Sequence, residues 1–374
     1  MILIDWFAPG YKAGGPIQSC VNICKALQQQ FDIYVLTTNT DHGEAQPYAG
    51  IIANTWQYNE QLNVHLFYAD KATLSTAIIK QQIKQVNADI VYLNLLFSPF
   101  FALYPLWLVL TGQLKKKVVL CPRGTLYQSG LNIKAYKKKP VLFLLRLFGL
   151  SKKIIFHASN QREQLAIQQY FPNAHVCLAN NLPSFNQQPF ASCNKKAGEL
   201  NIVFIARVVP IKNLLFLIQI LEKVKQQVCF TIAGPLEDAA YWAQCEAAIN
   251  KLPANIVVNY AGPVHNSMVQ NILQNNHLFA LPTLGENFGH SIFEALQAGR
   301  PVLISNQTPW HNLAIQQAGW DLPLSNQLAF VNAIGLLADA DQQTFNQYAL
   351  SAWQYANQFL QQQQHSAAYT KMFL

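Results

Sequence analysis

Short apolar runs alternate with stretches of helical periodicity along most of the chain. In the first half, Pro16 stands where a helix can begin, and apolar residues from Ile17 to Leu27 recur at helical spacing. Strands that alternate with helices predict a parallel sheet covered by helices on both faces. The apolar runs that predict strands here are Ile2–Phe7, Ile33–Thr37, Val64–Tyr68, Ile90–Leu95, Val118–Cys121 and Ile154–His157.

A second alternating series follows, and 374 residues are enough for two cores. The stretch between the two series lacks periodicity and predicts a linker. We therefore expect an α/β protein with a first domain at 1–179, a linker at 180–198, a second domain at 199–343 and C-terminal helices at 344–374 that pack back toward the first domain. The strands predicted in the second series are Ile202–Ile205, Cys229–Ala233, Ile256–Tyr260, His277–Leu281 and Val302–Ser305.

Charge is sparse and unevenly spread. Only 12% of the residues are charged, against roughly 25% in typical soluble domains, and the net charge is +8. The stretch from Ile90 to Arg162 contains twelve Lys and Arg and no Asp or Glu. Such a basic block suits an anionic partner, which could be nucleic acid, acidic lipid headgroups or a phosphorylated substrate.

The seven cysteines form no Cys-x-x-Cys pair, which is typical of a reduced, cytosolic protein. The N-terminus lacks the basic region and cleavage site of a signal peptide. The uncharged stretch from Ile90 to Thr111 is long enough to span a bilayer, but Pro99 and Pro105 favour a buried strand followed by a helix.

The most specific motif follows the fourth strand of the second series. A loop presents Glu286, a helix begins near Gly289, and Glu294 lies eight residues after Glu286. Loop amides and a helix N-terminus form an anion-binding end suited to phosphate. Two carboxylates beside it can accept hydrogen bonds from sugar and ribose hydroxyls. The alternative is that Glu286 caps the helix and Glu294 is merely solvated.

A pair of cations marks the first strand of the same series. Arg207 follows this strand directly, and Lys212 opens the next helix five residues later. Two cations at the carboxyl end of a strand could neutralise a diphosphate leaving group. The alternative is a pair of ordinary surface cations.

Two glycine-containing loops in the first half are less specific. Gly14 and Gly15 follow the first strand, where glycine allows close approach of the backbone to a ligand, but they match neither G-x-G-x-x-G nor a P-loop. Arg123 and Gly124 follow another strand. Either loop could be a simple structural turn.

Together these motifs resemble the retaining glycosyltransferases of family 4, which have the GT-B fold of two Rossmann-like domains facing across a cleft. The resemblance covers nearly the whole chain. Its C-terminal motifs are specific to the family, and the Pro-Arg-Gly element is similar to that of polysaccharide-assembly members. It rests on Pro9–Gly15, Pro122–Gly124, His157–Ser159 with Glu163, Arg207 with Lys212, Gly234-Pro235, and Glu286 with Glu294.

The resemblance implies a catalytic set of Glu286, Arg207 and Lys212. The two cations are expected to bind the donor diphosphate and stabilise the leaving nucleotide, while Glu286 holds the transferred sugar. No metal or other cofactor is expected, since the cations and helix dipoles supply the positive field. The implied donor-binding residues are Gly14, Gly15, Val264 (to the base, through its backbone), the amides of Asn287, Phe288 and Gly289, and Glu294 (to the ribose).

One position departs from the family pattern. Many members have a histidine near the end of the strand at Ile90–Leu95, where this chain has Asn94. An amide cannot accept a proton as imidazole does. Asn94, Arg123 and His157 are expected on the acceptor side or at the sugar, with a structural role as the alternative for His157.

We therefore expect a retaining hexosyltransferase that uses a nucleotide sugar, in the first instance a UDP-sugar, and a glycan or lipid-linked glycan acceptor in surface polysaccharide synthesis. A sugar-nucleotide epimerase on the same fold and a non-catalytic nucleotide-sugar-binding protein are the alternatives. The dehydrogenase fingerprint is absent. A nucleic-acid partner is not expected, because the basic block contains no recognised module.

The segment from Leu131 to Lys153 combines the basic cluster Lys137–Lys139 with a dense apolar run. This composition fits a helix lying on an anionic bilayer. A buried helix with a solvated lysine flank is the alternative. We expect a cytoplasmic enzyme held peripherally on the inner face of the cell membrane.

Overall fold

Buried aliphatic residues form the strands of two separate sheets. The computed structural model describes residues 1–132, 134–184, 189–361 and 365–374. The chain divides into two units, Met1–Leu182 with Gln363–Leu374, and Pro183–Gln362. The first boundary between the units therefore falls within the predicted linker.

The first unit contains an eight-stranded sheet in the order β3-β4-β2-β1-β5-β6-β7-β8. Neighbouring strands are parallel except at the edge, where β3 runs antiparallel to β4. The strands are β1 (Ile2–Leu3), β2 (Ile33–Thr38), β3 (Trp56–Asn59), β4 (Val64–Ala69), β5 (Ile90–Asn94), β6 (Lys117–Cys121), β7 (Ile155–Ala158) and β8 (His175–Leu178). The helices are α1 (Gly15–Leu27), α2 (Thr76–Val86), α3 (Tyr104–Leu110), α4 (Gln128–Asn132), α5 (Ala135–Leu147) and α6 (Gln161–Tyr170).

The second unit contains a six-stranded, fully parallel sheet in the order β11-β10-β9-β12-β13-β14. Its strands are β9 (Glu199–Ile205), β10 (Gln227–Ala233), β11 (Ile256–Gly262), β12 (Leu278–Leu281), β13 (Val302–Ser305) and β14 (Gly319–Leu322). Its helices are α7 (Leu214–Leu221), α8 (Ala239–Ile249), α9 (Asn266–Gln274), α10 (His290–Gln297), α11 (Gln327–Asp339) and α12 (Gln342–Gln361). The predicted α/β class with two Rossmann-like, parallel-sheet domains is confirmed.

Every strand predicted from an apolar run is present, and three further strands are added. The added strands β3, β8 and β14 lie at sheet edges, where a strand pairs on one side only and needs less buried apolar surface. The first strand is shorter than predicted. It ends at Leu3, although Ile4 and Asp5 still hydrogen-bond to the neighbouring strand β2.

The two C-terminal helices belong to different units. Helix α12 packs against α10 in the second unit, whereas α13 (His365–Phe373) packs against α1 in the first. The prediction that the segment 344–374 packs back toward the first domain thus describes α13 and not α12. Tyr369 and Met372 bury their side chains in the core that α1 shares with the first sheet.

The uncharged stretch from Ile90 to Thr111 folds as β5, a π-helical turn at Pro99–Leu103 and α3. Across the described ranges, no helix is both long and apolar enough to cross a membrane. The strand-and-helix interpretation of this stretch is therefore the one that the structure shows.

A buried arginine ties together three loops of the second unit. The side chain of Arg300 is fully buried, and burial lowers its pKa. Its Nε donates to the carbonyl oxygen of Ala298 at 3.0 Å, and Nη1 donates to that of Asn276 at 3.3 Å and to Cys193 Sγ at 2.7 Å. Nη2 donates to the carbonyl oxygen of Ala191. One cation thus pairs several buried acceptors.

We expect Arg300→Met to lower the free energy of unfolding by about 3 kcal/mol or more, because the carbonyl groups would stay buried without donors. Urea unfolding at equilibrium measures this loss. The matched control is Lys225→Met, at an exposed lysine of the same unit, which should leave the midpoint nearly unchanged. Equal midpoints for wild type and Arg300→Met would show that the network is dispensable.

Candidate active site

The order of strands in the second sheet reverses between β9 and β12. From β9 the chain first adds strands on one side, β10 and β11, and then continues with β12 on the other. In open α/β sheets, ligands bind at such a point, outside the carboxyl ends of the strands. Arg207 and Lys212 follow β9, and Glu286 follows β12, so the two motifs lie on either side of this point.

An ion pair joins the two motifs. Lys212 Nζ donates to Glu286 Oε1, with 17% and 13% of the side chains exposed. Lys212 ends a 3₁₀ turn at Pro210–Lys212, and Asn213 with φ 60° separates it from α7, so it does not open that helix as predicted. Glu286 pairs with a cation, and α10 has no side-chain cap. The interpretation of Glu286 as a cap is therefore wrong.

Backbone and side-chain hydrogen bonds fix the loops that carry this ion pair. Leu284 N and Thr283 Oγ1 both donate to the carbonyl oxygen of Ile211, at 2.8 and 2.9 Å. Asn213 Nδ2 donates to the carbonyl oxygen of Pro282 at 3.0 Å. Because three bonds hold the loops together, the positions of Lys212 and Glu286 depend on the loops and not on the ion pair alone.

The second cation is held by an acid that the sequence analysis missed. Arg207 Nη1 lies 2.8 Å from Glu237 Oε2, in the loop after β10. This loop turns at Gly234. Only glycine fits there, because φ is +148° and an added Cβ would lie 1.9 Å from the carbonyl oxygen of Ala206. The sequence signal was an acid two residues after the Gly234-Pro235 turn.

The N-terminus of α10 lies in the same loop as Glu286. Gly289 precedes the helix with φ +77°, and an added Cβ would lie 2.7 Å from Ile292 Cδ1. The ring of Phe288 is buried against Trp310, whose Nε1 donates to the carbonyl oxygen of Phe288. With that ring buried, the contribution predicted for Phe288 is its backbone amide, alongside those of Asn287 and Gly289.

Glu294 and Val264 are the two remaining residues of the predicted donor site. Glu294 is partly buried on the first turns of α10, and burial raises its pKa from 4.5 to about 7. Val264 is partly buried in the loop between β11 and α9. Both follow carboxyl ends of strands in the same sheet, which agrees with their predicted roles without testing them.

In the first unit, the loop before α1 is held by Asp41, which the sequence analysis also missed. Its Oδ2 accepts hydrogen bonds from Tyr11 N at 2.9 Å and Lys12 N at 3.2 Å. The loop ends at Gly14 with φ +70°, and Gly15 begins the helix. Asp41 thus fixes the path of the backbone that the sequence predicts to face the donor.

A second missed acid occupies the point where the strand order of the first sheet reverses, between β1 and β5. Ser98 Oγ donates to Asp5 Oδ1 at 2.9 Å. Burial raises the pKa of Asp5 to about 6, against the opposing effect of the Ser98 hydrogen bond. This contact has little signal in the sequence, because its two residues are far apart along the chain.

The side chain of Arg123 donates hydrogen bonds to several uncharged groups. Its Nε donates to Asn94 Oδ1 at 3.1 Å, its Nη2 donates to Tyr92 Oη at 3.2 Å, and its Nη1 donates to Asn181 Oδ1. Next to it, Gly124 N donates to Glu163 Oε1, so the Pro-Arg-Gly turn is anchored from α6 as well. The turn is a rigid element of the first unit.

Asn94 and His157 belong to the hydrogen-bond network around Arg123. Both are fully buried. The ring nitrogens of His157 meet Tyr92 Oη and the carbonyl oxygen of Ala179, each at 2.7 Å, and burial lowers the pKa of the ring to about 3. The low pKa keeps the imidazole neutral, and both ring nitrogens are engaged within the protein, which favours the structural role for His157 over a sugar contact. Asn94 likewise faces Arg123 and not solvent.

Among the described residues, no group of three or more His, Cys, Asp and Glu side chains could hold a metal ion. The seven cysteines are free thiols. The charged groups of the motifs at the carboxyl edge of the second sheet include the ion pairs Arg207–Glu237 and Lys212–Glu286 together with Glu294. This set can bind an anion through cations and hydroxyl groups through carboxylates.

Several known proteins are similar to this chain in sequence or in fold. Residues 199–339 match the family model described as Glycosyl transferases group 1. The capsular polysaccharide biosynthesis glycosyltransferase CapH of Staphylococcus aureus is 22% identical over 300 residues, or 78% of each chain. Sucrose-phosphate synthase from Thermosynechococcus elongatus superposes with a TM-score of 0.70 at 14% identity, over 96% of this chain and 92% of that one. Anabaena HepE in complex with UDP-glucose gives 0.67 at 15% identity, over 99% and 98%.

The solved structures share the fold, that of GT-B glycosyltransferases. The matched family model covers the sheet and loops that carry Arg207, Lys212, Glu286 and Glu294. The fold and the matched domain together indicate a glycosyltransferase. The protein is an enzyme of this class.

The raised pKa of Glu294 predicts a pH-dependent stability. The folded chain keeps a proton that the unfolded chain releases above about pH 4.5, so the contribution of Glu294 to stability falls as the pH rises through about 7. Glu294→Gln removes this fall. The free energy of unfolding of the variant, relative to wild type, should therefore rise between about pH 5 and pH 8. Urea unfolding across this range, with exposed Glu246→Gln as the control, measures it. A constant difference would contradict the raised pKa.

Proposed function

We propose that this enzyme is a retaining, family 4 hexosyltransferase that moves a sugar from a nucleotide sugar, in the first instance a UDP-sugar, to a glycan or lipid-linked glycan during polysaccharide synthesis. The observation that carries the proposal is the Lys212–Glu286 ion pair across the reversal point of the second sheet, with Arg207 in the same loop after β9 as Lys212. The names of two similar proteins, a capsular polysaccharide glycosyltransferase and a protein bound to UDP-glucose, support the acceptor and donor classes.

The two ion pairs explain how a diphosphate could be received. Each cation is held in place by a carboxylate, so two like charges can lie near each other before any ligand binds. A diphosphate offers more negative charge than either carboxylate and competes for both cations. Glu286 would then be released to accept hydrogen bonds from the sugar, and the helix N-terminus at Gly289 would add its dipole.

In the proposed mechanism the sugar keeps its anomeric configuration, because the acceptor attacks the anomeric carbon on the face from which the nucleotide leaves. The bond between the anomeric carbon and the phosphate oxygen breaks, and the acceptor oxygen bonds to the same face of that carbon. The proton of the acceptor hydroxyl passes to the departing phosphate oxygen. Arg207 and Lys212 stabilise the negative charge that develops on the leaving group.

The acceptor class bears on location. A lipid-linked glycan is reached at a membrane, so we include in the proposal a peripheral position on the cytoplasmic face of the cell membrane. The basic, acid-free segment of the first unit is the feature that supports it.

We expect Glu286→Gln and Arg207→Ala each to lower turnover by at least about 10²-fold, because each removes from the enzyme a charged group that is proposed to stabilise the transition state. Turnover is measured as product formed from a panel of UDP-, GDP- and ADP-sugars with and without acceptor glycans. Glu246→Gln and Lys251→Ala, at exposed positions of the same unit, are the matched controls. Product that forms without an acceptor would indicate an epimerase, and binding without turnover a non-catalytic protein.

Turnover should also survive chelation. If the cations and the helix dipole supply the positive field, EDTA leaves the rate unchanged. The measurement compares the initial rate before and after dialysis against EDTA, then after addition of Mg²⁺ or Mn²⁺. A rate lost on chelation and restored by either metal would sink the metal-free mechanism and leave the transferase class standing.

A further inference from the structure

Helix α5 turns an apolar face away from the protein. The side chains of Tyr136, Phe143 and Leu147 are 73%, 65% and 65% exposed. They are seven and four residues apart, so they lie on one side of the helix. Leu142 and Leu145 are buried in the core of the first unit and hold the opposite side. Large apolar side chains exposed together in this way mark an interaction surface.

The same face extends past the end of the helix and is bordered by cations. Leu144 and Phe148 are also exposed. Lys137, Lys139 and Arg146 are exposed, and at 100° per residue Lys137 falls on one flank of the apolar stripe and the other two on the opposite flank. We call Tyr136, Phe143, Leu144, Leu147 and Phe148, with these three cations, the α5 face.

Lys138 does not belong to the α5 face. Its Nζ donates to the carbonyl oxygen of Gly130 at 2.7 Å and lies 5.1 Å from the ring centroid of Phe97. Burial lowers its pKa. Lys138 therefore fixes the helix on the first unit, and the basic cluster seen in the sequence divides into one anchoring lysine and two exposed ones.

The chain segment that carries the α5 face has charge of one sign only. The stretch from Ile90 to Arg162, which includes the helix and its neighbours along the chain, holds twelve basic residues and no acid. A partner that matches this segment offers both an apolar layer for the exposed side chains and negative charge for the cations. An anionic bilayer offers both, since apolar side chains enter the boundary between headgroups and acyl chains while lysines meet lipid phosphates. A helix of 13 residues is too short to span and lies in the plane.

We propose that the α5 face docks the enzyme on an anionic lipid bilayer. Phe143 and Leu147 enter the acyl boundary, and Lys137, Lys139 and Arg146 contact the headgroup phosphates. The inference deepens the proposed function by naming the surface that meets the membrane, and it rests on that function only for the reason the enzyme needs a membrane. Docking itself requires neither donor nor acceptor.

The test is sedimentation of the full chain with vesicles of phosphatidylcholine containing about one third phosphatidylglycerol. Wild type is expected to pellet with these vesicles, less so at high salt, and to stay in solution with phosphatidylcholine alone. Lys137→Glu with Lys139→Glu should lower partitioning by at least about tenfold, since each cation at such a surface contributes favourably. Phe143→Ser with Leu147→Ser should lower it by a similar factor through lost insertion.

Matched controls come from the second unit. Lys225→Glu with Lys251→Glu makes the same change in net charge, and Ile315→Ser with Leu328→Ser removes equally exposed apolar side chains. Both controls should partition like wild type. Because Lys137 and Lys139 are exposed, the variant Lys137→Glu with Lys139→Glu keeps its fold, as circular dichroism would verify. It therefore tests the proposal even if Phe143→Ser with Leu147→Ser does not fold.

Equal partitioning of the α5 variants and the controls overturns the docking proposal, and so does a wild type that forms dimers through this face and ignores vesicles. Binding of UDP by the same variants separates this outcome from the proposed function. Variants that lose vesicles but bind UDP like wild type support docking. A wild type that pellets through the α5 face but does not bind UDP supports docking while removing the proposed UDP-sugar donor.

Discussion

Parallel strands impose the constraint on which the rest of this structure depends. When strands run in one direction, their carboxyl ends and the loops that follow them meet at one edge of the sheet. In the second unit this rule gathers the loops after β9, β10 and β12, which lie far apart in sequence. The reversal of strand order leaves a gap between the loops of β9 and β12. Lys212 and Glu286 meet across it.

Opposite charges make that edge stable before a ligand arrives. Arg207 and Lys212 would repel each other if left alone, and each is compensated by a carboxylate from a neighbouring strand's loop. The three hydrogen bonds that hold the loops of Lys212 and Glu286 to each other do not involve the ion pair. The scaffold therefore organises the site, and the positions of its loops do not rest on the side-chain charges alone.

The strands that carry continuous apolar runs, the class of fold and the motif residues could be predicted from the sequence, because each depends on local pattern. The edge strands β3, β8 and β14 could not. Asp41 could not be predicted, and Glu237 was marked only by its place after the Gly234-Pro235 turn, since each acts through a contact with a loop about 30 residues away in the chain. The different roles of Lys137 and Lys138 depend on helical phase, and Pro140 within α5 obscured where the helix would begin. His157 looked like a site residue because burial is not visible in a motif.

The placement of α13 affects how the chain can fold as it is made. Its residues Tyr369 and Met372 complete the core beside α1, yet they follow the entire second unit in the sequence. During synthesis, domains usually fold in order from the N-terminus. Here the second unit has all of its strands outside the ribosome before the first has its closing helix. The core that α13 shares with α1 is therefore completed only after the whole second unit has been synthesised.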